Sequence, residues 1–319
     1  MNIMFTSVGR RVELIQEFHR AAKELNVPLQ IIGADISDTA PALYFCDKMT
    51  NICRVKDPKY ISELLLICKE EKIDCLIPTI DTDLLLLSSN KNKFEEIGTK
   101  VLISSEAKVA LCRDKTKTYQ YFKSLGLKAP LSIDSIDDFH LNFPVFIKPK
   151  DGSSSIDTYK VDDYEDLVVF TQRIKDYIIQ PYIDGIEYTI DIFCDYFGKP
   201  IYITPRKRLA VRSGEVLKTE ICQDSQIIEA MQKLIQDFKP CGQITVQMIR
   251  EKETNEDYYI EINPRFGGGA PLSIKAGADS AGATLKLIQE MPMKYQAEAA
   301  IDGKIYSRYD QSICVSDLK

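Results

Sequence analysis

Oxygen-bearing side chains occur at alternate positions near residue 260. Glu261 and Asn263 are separated by one isoleucine in a segment that is otherwise apolar or aromatic. Because successive side chains of a β-strand point to opposite faces, Glu261 and Asn263 would share one face. Gln247, on the partner strand of a hairpin predicted from residues 244–249 and 258–263, would add a third oxygen. Carboxylate and amide oxygens suit Mg²⁺, which proteins usually share with a substrate phosphate. The spacing therefore fits either a magnesium site or an exposed polar strand face.

Two lysines stand where an anion would be held. Lys148 ends an apolar strand predicted at residues 143–149, and Lys115 begins a helix predicted at residues 114–125, whose dipole favours an anion. After Lys148 comes a loop of small residues whose backbone amides can cover phosphates: Gly152, Ser153, Ser154 and Ser155. Each feature also fits an ordinary surface lysine or a flexible Gly–Ser turn.

A third segment could hold the base and the sugar of a nucleotide. Backbone amides in an apolar stretch can pair with a purine edge, and a nearby carboxylate can hold ribose hydroxyls. The stretch consists of Gln180, Pro181, Tyr182 and Ile183, and the carboxylate belongs to Glu187. The alternative is a hinge between two lobes with no ligand.

A basic cluster follows in the next predicted strand. Arg206 and Arg208 alternate along that strand and would share one face, whereas Lys207 would point to solvent. Arg212 begins the next loop, and Arg265 follows the Glu-Ile-Asn segment by two positions. Arginine is favoured where a carboxylate or phosphate is held at two points, although most charge runs are simply solvated. We expect Arg206 and Arg208 to line a cleft, with Arg212 assisting.

Taken in order, these segments resemble the motifs of the ATP-grasp superfamily. Their sequence and approximate spacing run from Lys115, through Phe146-Ile147-Lys148-Pro149 and the Gly–Ser loop, to Glu261-Ile262-Asn263-Pro264-Arg265. The nearest likeness is to an ATP-grasp half of the carbamoyl-phosphate synthase large chain, with a single unit where that chain has two. The resemblance covers essentially the whole sequence. Each motif is weak by itself, but five in the right order are specific.

The resemblance implies a role for each group of residues. The phosphates of ATP would be held by Lys115 and Lys148, under a lid formed by the 151–155 loop. Adenine would contact Gln180, Pro181, Tyr182 and Ile183. The ribose would bind Glu187.

The resemblance also implies a metal centre and a set of catalytic cations. Two Mg²⁺ ions, with Mn²⁺ as an alternative, would be bound by Gln247, Glu261 and Asn263, and Glu261 would bridge them. Charge on the transferring phosphoryl group would be stabilised by Arg265. The reacting carboxylate would lie beside Arg206, Arg208 and Arg212.

The elements that must position these residues fall into two groups. Short apolar strands predicted at residues 2–6, 29–35, 73–78 and 100–104 alternate with helices, which indicates parallel β-α-β units. We therefore predict an α/β, Rossmann-like pre-ATP-grasp domain at residues 1–105. Ligands of such sheets sit beyond the carboxyl ends of the strands, which here carry Gly9, Asp35, Asp81 and Asp83. Residues 106–319 would form a two-lobed α+β ATP-grasp domain, with a lid subdomain at about 114–182 and antiparallel strands from 187 to about 250.

Composition narrows the class of protein. The 319 residues include 41 Lys+Arg and 47 Asp+Glu, and a net charge of −6 argues against a nonspecific nucleic-acid binder. No apolar run approaches the roughly 20 residues needed to span a bilayer, and the first residues do not resemble a secretory signal. Nine cysteines without a CxxC pair indicate reduced thiols in the cytoplasm. With only two histidines, His19 and His140, a Ser-His-Asp or Cys-His arrangement is nearly excluded.

These features together predict an ATP-dependent carboxylate–amine ligase. The reaction would pass through an acyl phosphate and release ADP and phosphate. Its substrates would be a small-molecule carboxylate and an amine, with no nucleic-acid or membrane partner and with a homodimer as the candidate assembly. Two alternatives remain: a phosphotransferase on the same fold, and a nucleotide-binding subunit without turnover.

Overall fold

The chain begins with a five-stranded parallel sheet, seen in a computed structural model that describes residues 1–152 and 156–318. Each strand is short, and the central ones are buried on both faces, as the apolar runs of the sequence require. The strand order is β3-β2-β1-β4-β5, and every neighbouring pair is parallel. The strands are β1 (Asn2–Thr6), β2 (Gln30–Asp35), β3 (Lys48–Asn51), β4 (Cys75–Pro78) and β5 (Lys100–Val101). The helices between them are α1 (Val12–Glu24), α2 (Tyr60–Glu70), α3 (Leu84–Ser89) and α4 (Lys91–Glu96).

A small antiparallel sheet follows in the order β7-β6-β8. Its strands are β6 (Val145–Pro149), β7 (Tyr159–Val161) and β8 (Tyr177–Pro181). Helices before and within this part are α5 (Glu106–Arg113), α6 (Lys115–Ser124) and α7 (Tyr164–Arg173). The carboxylate of Asp114 caps α6 by accepting from the amides of Thr116 and Lys117, which fixes the orientation of Lys115 at the first helical position.

A larger antiparallel sheet forms the last part of the chain. Its order is β13-β12-β9-β10-β11-β14. The strands are β9 (Gly185–Cys194), β10 (Pro200–Arg212), β11 (Glu215–Ile221), β12 (Gly242–Glu251), β13 (Asp257–Asn263) and β14 (Ile305–Ser307). The helices are α8 (Ser225–Phe238), α9 (Ala270–Ala276) and α10 (Ser280–Ile288). The predicted fold class is confirmed: a parallel α/β part precedes antiparallel sheets with helices.

One helix lies where the sequence pattern was read only as antiparallel strands. Helix α8 interrupts the region from 187 to 250 because Asp224 caps its first turn, and because Ile227, Met231 and Ile235 share a buried face at helical spacing. Helix α5 and strand β3 were also not predicted, and the strand expected at 100–104 is only two residues long. The domain limits at residue 105 and the lid limits of about 114–182 remain predictions.

An apolar core joins the parallel sheet to the large antiparallel sheet. Phe18 of α1 packs edge-on against Phe5 of β1 at 5.0 Å between ring centroids and against Phe266 at 5.9 Å. Helix α1 also packs against α9 and α10. This shared core fixes the loop after β1 close to the loop after β13, and both loops contribute to the site described below. Within the described ranges, none of the helices has the length and apolar content needed to cross a membrane.

Candidate active site

A cavity of about 330 Å³ lies between the three-stranded sheet and the large antiparallel sheet. It brings together residues that are up to 146 positions apart in the sequence, from α6, β6, β8, β10, β12 and β13. The sequence-predicted residues that line it are Lys115, Lys148, Gly152, Gln180, Pro181, Tyr182, Ile183, Glu187, Arg208, Gln247 and Glu261. Ser153, Ser154 and Ser155 lie outside the described residues.

Lys148 presents a buried cation to this cavity. Its side chain belongs to β6, the residue is 8% exposed, and its ammonium group has no hydrogen-bond partner in the described ranges. Burial lowers the pKa of Lys148 to about 8, with a smaller raising effect from Glu261 and a lowering effect from Lys115. An anion placed here would therefore stabilise the charged form of the lysine.

Lys115 reaches the same cavity from the first turn of α6. Its Nζ donates to the carbonyl of Gly152 at 2.8 Å, and its backbone amide donates to the carbonyl of Lys150 at 3.2 Å. Burial also lowers the pKa of Lys115, while Glu261 raises it. The lysine is thus held against the start of the loop that was predicted to cover phosphates.

The two residues after β8 differ in the partners of their backbone amides. The amide of Tyr182 donates to the carbonyl of Pro144 at 3.1 Å, whereas no partner for the Ile183 amide occurs in residues 1–152 or 156–318. The side chain of Gln180 is buried and donates to Ser132 Oγ at 2.7 Å. A purine edge could therefore use the Ile183 amide, but not that of Tyr182.

Arg208 contacts two other predicted site residues, Glu187 and Gln247. Its Nη1 lies 3.1 Å from Glu187 Oε2 and donates to Gln247 Oε1 at 3.3 Å, and its Nη2 donates to the carbonyl of Gly214 at 2.9 Å. The buried Nε of Arg208 has no partner among the described residues. The predicted ribose residue and one predicted metal ligand thus share a single guanidinium.

The three predicted metal ligands are close together. Gln247 and Glu261 are paired across β12 and β13, and a register shift follows at Gln247/Met248. Asn263 Nδ2 donates to Glu261 Oε1 at 2.9 Å, as expected for side chains two positions apart on one strand face. The described part of the chain holds no cluster of three or more His, Cys, Asp or Glu residues suited to a metal. This set, with one carboxylate and two amide oxygens, fits an ion that takes its remaining ligands from phosphates and water.

A second cavity of about 120 Å³ adjoins the first and shares Arg208, Gly214, Gln247 and Glu261 with it. It is lined by the predicted residues Asn263, Arg206 and Arg265, and also by Arg11. Arg206 is only 1% exposed, and its Nε donates to Asp191 Oδ2 at 2.8 Å. The cavity is therefore rich in guanidinium groups.

Arg265 lies two positions after Asn263, beyond the end of the strand that carries Glu261 and Asn263. Strand β13 ends at Asn263, and the side chain of Arg265 forms a two-point ion pair with Asp81, in the loop after β4. It still lines the smaller cavity.

The rest of the basic cluster lies away from both cavities. Arg212, whose side chain is 57% exposed, donates to both carboxylate oxygens of Asp310, at 3.1 and 2.9 Å. Lys207 pairs with Glu220 at 3.1 Å and is partly buried rather than fully solvated. These contacts do not support the prediction that Arg212 assists Arg206 and Arg208 beside the reacting carboxylate.

Arg11 is a site residue that sequence reasoning missed. It ends the loop after β1, at the carboxyl edge of the parallel sheet, where ligand-binding loops of such sheets occur. This position could have indicated Arg11, because Gly9 in the same loop was predicted to lie at the carboxyl end of a strand. The approach of this loop to Gly268 depends on tertiary packing, which no local pattern encodes.

Comparison with known proteins gives two family matches. Residues 3–102 match the family described as PylC-like, N-terminal domain, and residues 173–309 match the family described as ATP-grasp in the biosynthetic pathway with Ter operon. The second match, over 137 of the 319 residues, is to a family of ATP-grasp proteins. The resemblance to the ATP-grasp superfamily predicted from the motifs is confirmed.

Two similar proteins carry the names of enzymes. A carbamoyl-phosphate synthase of Methanobrevibacter smithii is 24% identical over 216 residues, covering 62% of this chain and 59% of that protein. A 3-methyl-D-ornithine–L-lysine ligase of Methanosarcina barkeri is 24% identical over 181 residues, covering 57% of this chain and 46% of that protein. The chain thus spans only about half the length of these relatives.

A solved structure shares the fold of this chain. The biotin carboxylase domain dimer of Hydrogenobacter thermophilus 2-oxoglutarate carboxylase, in complex with MgADP, ADP and bicarbonate, has a TM-score of 0.75 and 17% identity. The match covers 95% of this chain and 73% of that one. The two-lobed ATP-grasp fold following a Rossmann-like part is therefore the fold of this protein.

Proposed function

We propose that the protein is an ATP-dependent carboxylate–amine ligase that forms an acyl phosphate and releases ADP and orthophosphate. The observation that carries this proposal is the joining of two cavities through Arg208, Gln247 and Glu261. The larger one has the cations and the apolar wall that a nucleotide needs, and the smaller one has the guanidinium groups that a carboxylate needs. The ligase activity named for the Methanosarcina barkeri relative also supports it.

ATP would occupy the larger cavity. Its phosphates would lie at Lys115 and Lys148, since Lys148 is a buried cation without a partner in the described ranges. The purine would lie against the segment from Gln180 to Ile183, where the Ile183 amide is available. Glu187, already oriented by Arg208, would accept from the ribose hydroxyls.

Magnesium would be held by Gln247, Glu261 and Asn263. The MgADP in the Hydrogenobacter thermophilus structure supports this ion, and we propose two ions bridged by Glu261, with Mn²⁺ as an effective substitute. When bound, the metal would neutralise and orient the phosphates of ATP. Asn263 fits this role because its amide nitrogen donates to Glu261, which leaves its amide oxygen free to face the ion.

The chemistry requires no covalent help from the protein. A carboxylate oxygen attacks the γ-phosphorus, and the bond to the ADP oxygen breaks, which gives an acyl phosphate. The amine nitrogen then attacks the acyl carbon, orthophosphate leaves with the former carboxylate oxygen, and the nitrogen loses a proton. Arg265 and Arg208 would stabilise the charge that develops between the two cavities.

Two further features complete the proposal. We place the reaction in the cytoplasm, where nine free cysteines, four of them buried, would stay reduced. We also propose a homodimer, which the dimer named for the Hydrogenobacter thermophilus domain supports. Light scattering of the purified chain would measure its mass directly.

The test compares Glu261→Gln with Glu253→Gln, an exposed control in the loop between β12 and β13. We expect Glu261→Gln to weaken MgADP binding and to reduce ADP release with a pool of amino acids by at least about 100-fold, the order of a lost catalytic charge. Glu253→Gln should match the wild type. Near-normal turnover of Glu261→Gln at limiting Mg²⁺ would contradict the metal site. A phosphorylated product without an amide, identified by mass spectrometry, would favour the phosphotransferase.

A further inference from the structure

The smaller cavity contains an arginine from the parallel-sheet part of the chain. Arg11 immediately precedes α1, and its side chain is 18% exposed. Within the described ranges, its guanidinium has one partner, Glu215 Oε1, at 3.4 Å. A guanidinium carries five N–H donors, so most of the hydrogen-bonding capacity of Arg11 is unused.

The other three arginines of this cavity have carboxylate partners of their own. Arg206 is matched by Asp191, Arg208 by Glu187 and Arg265 by Asp81. Arg11, in contrast, shares Glu215, its one partner among the described residues, with a second cation, Arg308.

That sharing leaves Arg11 poorly neutralised. Glu215 lies 3.4 Å from Arg11 and 3.5 Å from Arg308, and both distances are long for an ion pair. Burial lowers the pKa of Arg11, and the neighbouring Arg265 lowers it further, while Glu215 raises it. The environment is therefore short of negative charge, which an anionic ligand would supply.

The backbone next to Arg11 is shaped to leave room for the guanidinium. A Cβ atom at Gly268 would lie 2.8 Å from Arg11 Nη1 and 3.2 Å from Glu215 Oε1. Gly268 does not adopt the left-handed conformation that favours glycine, so the requirement is one of space and not of backbone angle. Any larger residue would displace the guanidinium from the floor of the cavity.

We propose that Arg11 binds the carboxylate group of a small acid in the smaller cavity, and so selects for ligands that carry a carboxylate. The parallel-sheet part would thus supply a residue of the acceptor site and not only a scaffold. This inference rests on the proposed ligase function. It adds that the acid must bring a free carboxylate within reach of the loop after β1.

The test uses thermal unfolding of the full chain in saturating MgADP, because a ligand that binds only the folded state raises Tm. The probes are the L- and D-amino acids, glycolate, lactate, malate and succinate. The variants are Arg11→Gln, Arg11→Lys and Gly268→Ala, which keeps Arg11 but displaces it. The control is Arg10→Gln, since the side chain of Arg10 is 77% exposed and lies 3.8 Å from Asp310.

We expect at least one acid to raise Tm of the wild type and of Arg10→Gln equally. In Arg11→Gln and Gly268→Ala, the acid concentration that gives half of the Tm shift should rise roughly 10- to 100-fold, which is the effect of losing a hydrogen bond to a charged group. The value for Arg11→Lys should lie between those of the wild type and of Arg11→Gln. Unchanged acid binding in Arg11→Gln would overturn the inference. A wild type that responds to MgADP but to no acid would also overturn it, while leaving nucleotide binding intact. A wild type that does not respond to MgADP would instead overturn the proposed function itself.

Discussion

Arg265 and Asp81 form a two-point ion pair between the loop after β13 and the loop after β4. Nε donates to Asp81 Oδ1 at 2.8 Å, and Nη2 contacts Asp81 Oδ2. The pair spans 184 positions of the sequence and joins the parallel sheet to the end of the antiparallel sheet that carries the proposed metal ligands. The orientation of the proposed catalytic arginine is therefore set by a residue outside the ATP-grasp motifs.

Asp81→Asn should impair the reaction through Arg265. The amide keeps the size of the carboxylate but removes the charge that holds the guanidinium at two points. We expect kcat for ADP formation to fall by at least about tenfold, with KM for ATP changed less than about twofold. The matched control is Asp184→Asn, which removes an exposed pair with Lys252 and should leave both constants unchanged. Equal kcat in the two variants would show that Asp81 does not position Arg265.

Nucleotide binding should weaken as the pH rises through about 8. Lys148 is half protonated near that pH because burial lowers its pKa, and bound phosphates favour the protonated form. The Kd for MgADP should therefore rise roughly tenfold between pH 7 and pH 9. Lys148→Arg keeps the charge over this whole range, since arginine stays protonated. Calorimetry that finds the same pH dependence in both proteins would assign it to another group.

The sequence predicted those parts of the site that depend on local periodicity. Glu261 and Asn263 share a face because strand side chains alternate, and Lys148 ends a strand whose apolar residues mark it as buried. The partner of Arg265 and the place of Arg11 could not be predicted in this way. Both depend on packing between loops that are far apart in the chain, which Phe18 and Phe266 help to bring together.

Helix α8 was missed for a different reason. Its signals are local, with Asp224 as the cap and apolar residues at helical spacing, but it lies between two strand-rich segments whose alternating pattern was extended across it. The positions of Arg212 and Lys207 show a related limit. The alternation of side chains predicts on which face of a strand a side chain lies. It does not predict which carboxylates that side chain contacts, here Asp310 for Arg212 and Glu220 for Lys207.

The effects of alanine substitutions in the basic cluster should depend on the burial and on the ion-pair partner of each residue. Arg206→Ala leaves Asp191 buried without its cation, so we expect a loss of about 3–5 kcal/mol in the free energy of unfolding. Arg208→Ala should mainly reduce kcat/KM for ADP formation, by a factor of tens, because Glu187 and Gln247 lose their common donor. Lys207→Ala removes a partly exposed pair and should cost less than about 1 kcal/mol. Denaturant unfolding and steady-state kinetics of the three variants would reveal this order; equal effects at all three positions would contradict it.

Asp83 should make stability depend on pH. Its carboxyl is buried, its Oδ1 has no partner in the described ranges, and burial raises its pKa from 3.8 to about 7. Between pH 3.8 and about 7, the folded state therefore keeps a proton on Asp83 that the unfolded state releases. The resulting loss in the free energy of unfolding is absent below pH 3.8 and grows as the pH rises to about 7. Asp83→Asn should gain free energy of unfolding relative to the wild type over that interval, by about 4 kcal/mol at most. Urea unfolding at pH 4 and pH 8 measures the difference, and a constant difference would refute the buried acid.

The transfer of oxygen from acid to phosphate tests the ligase proposal most directly. The wild-type chain would be incubated with Mg²⁺, ATP and amino acids labelled with ¹⁸O in their carboxylates, and the phosphate and nucleotide products would be analysed by mass spectrometry. Attack of the carboxylate on the γ-phosphorus predicts ADP and an equal amount of orthophosphate carrying one ¹⁸O atom, together with an amide product. AMP and pyrophosphate, or orthophosphate without the label, would contradict the acyl phosphate and with it the assigned function.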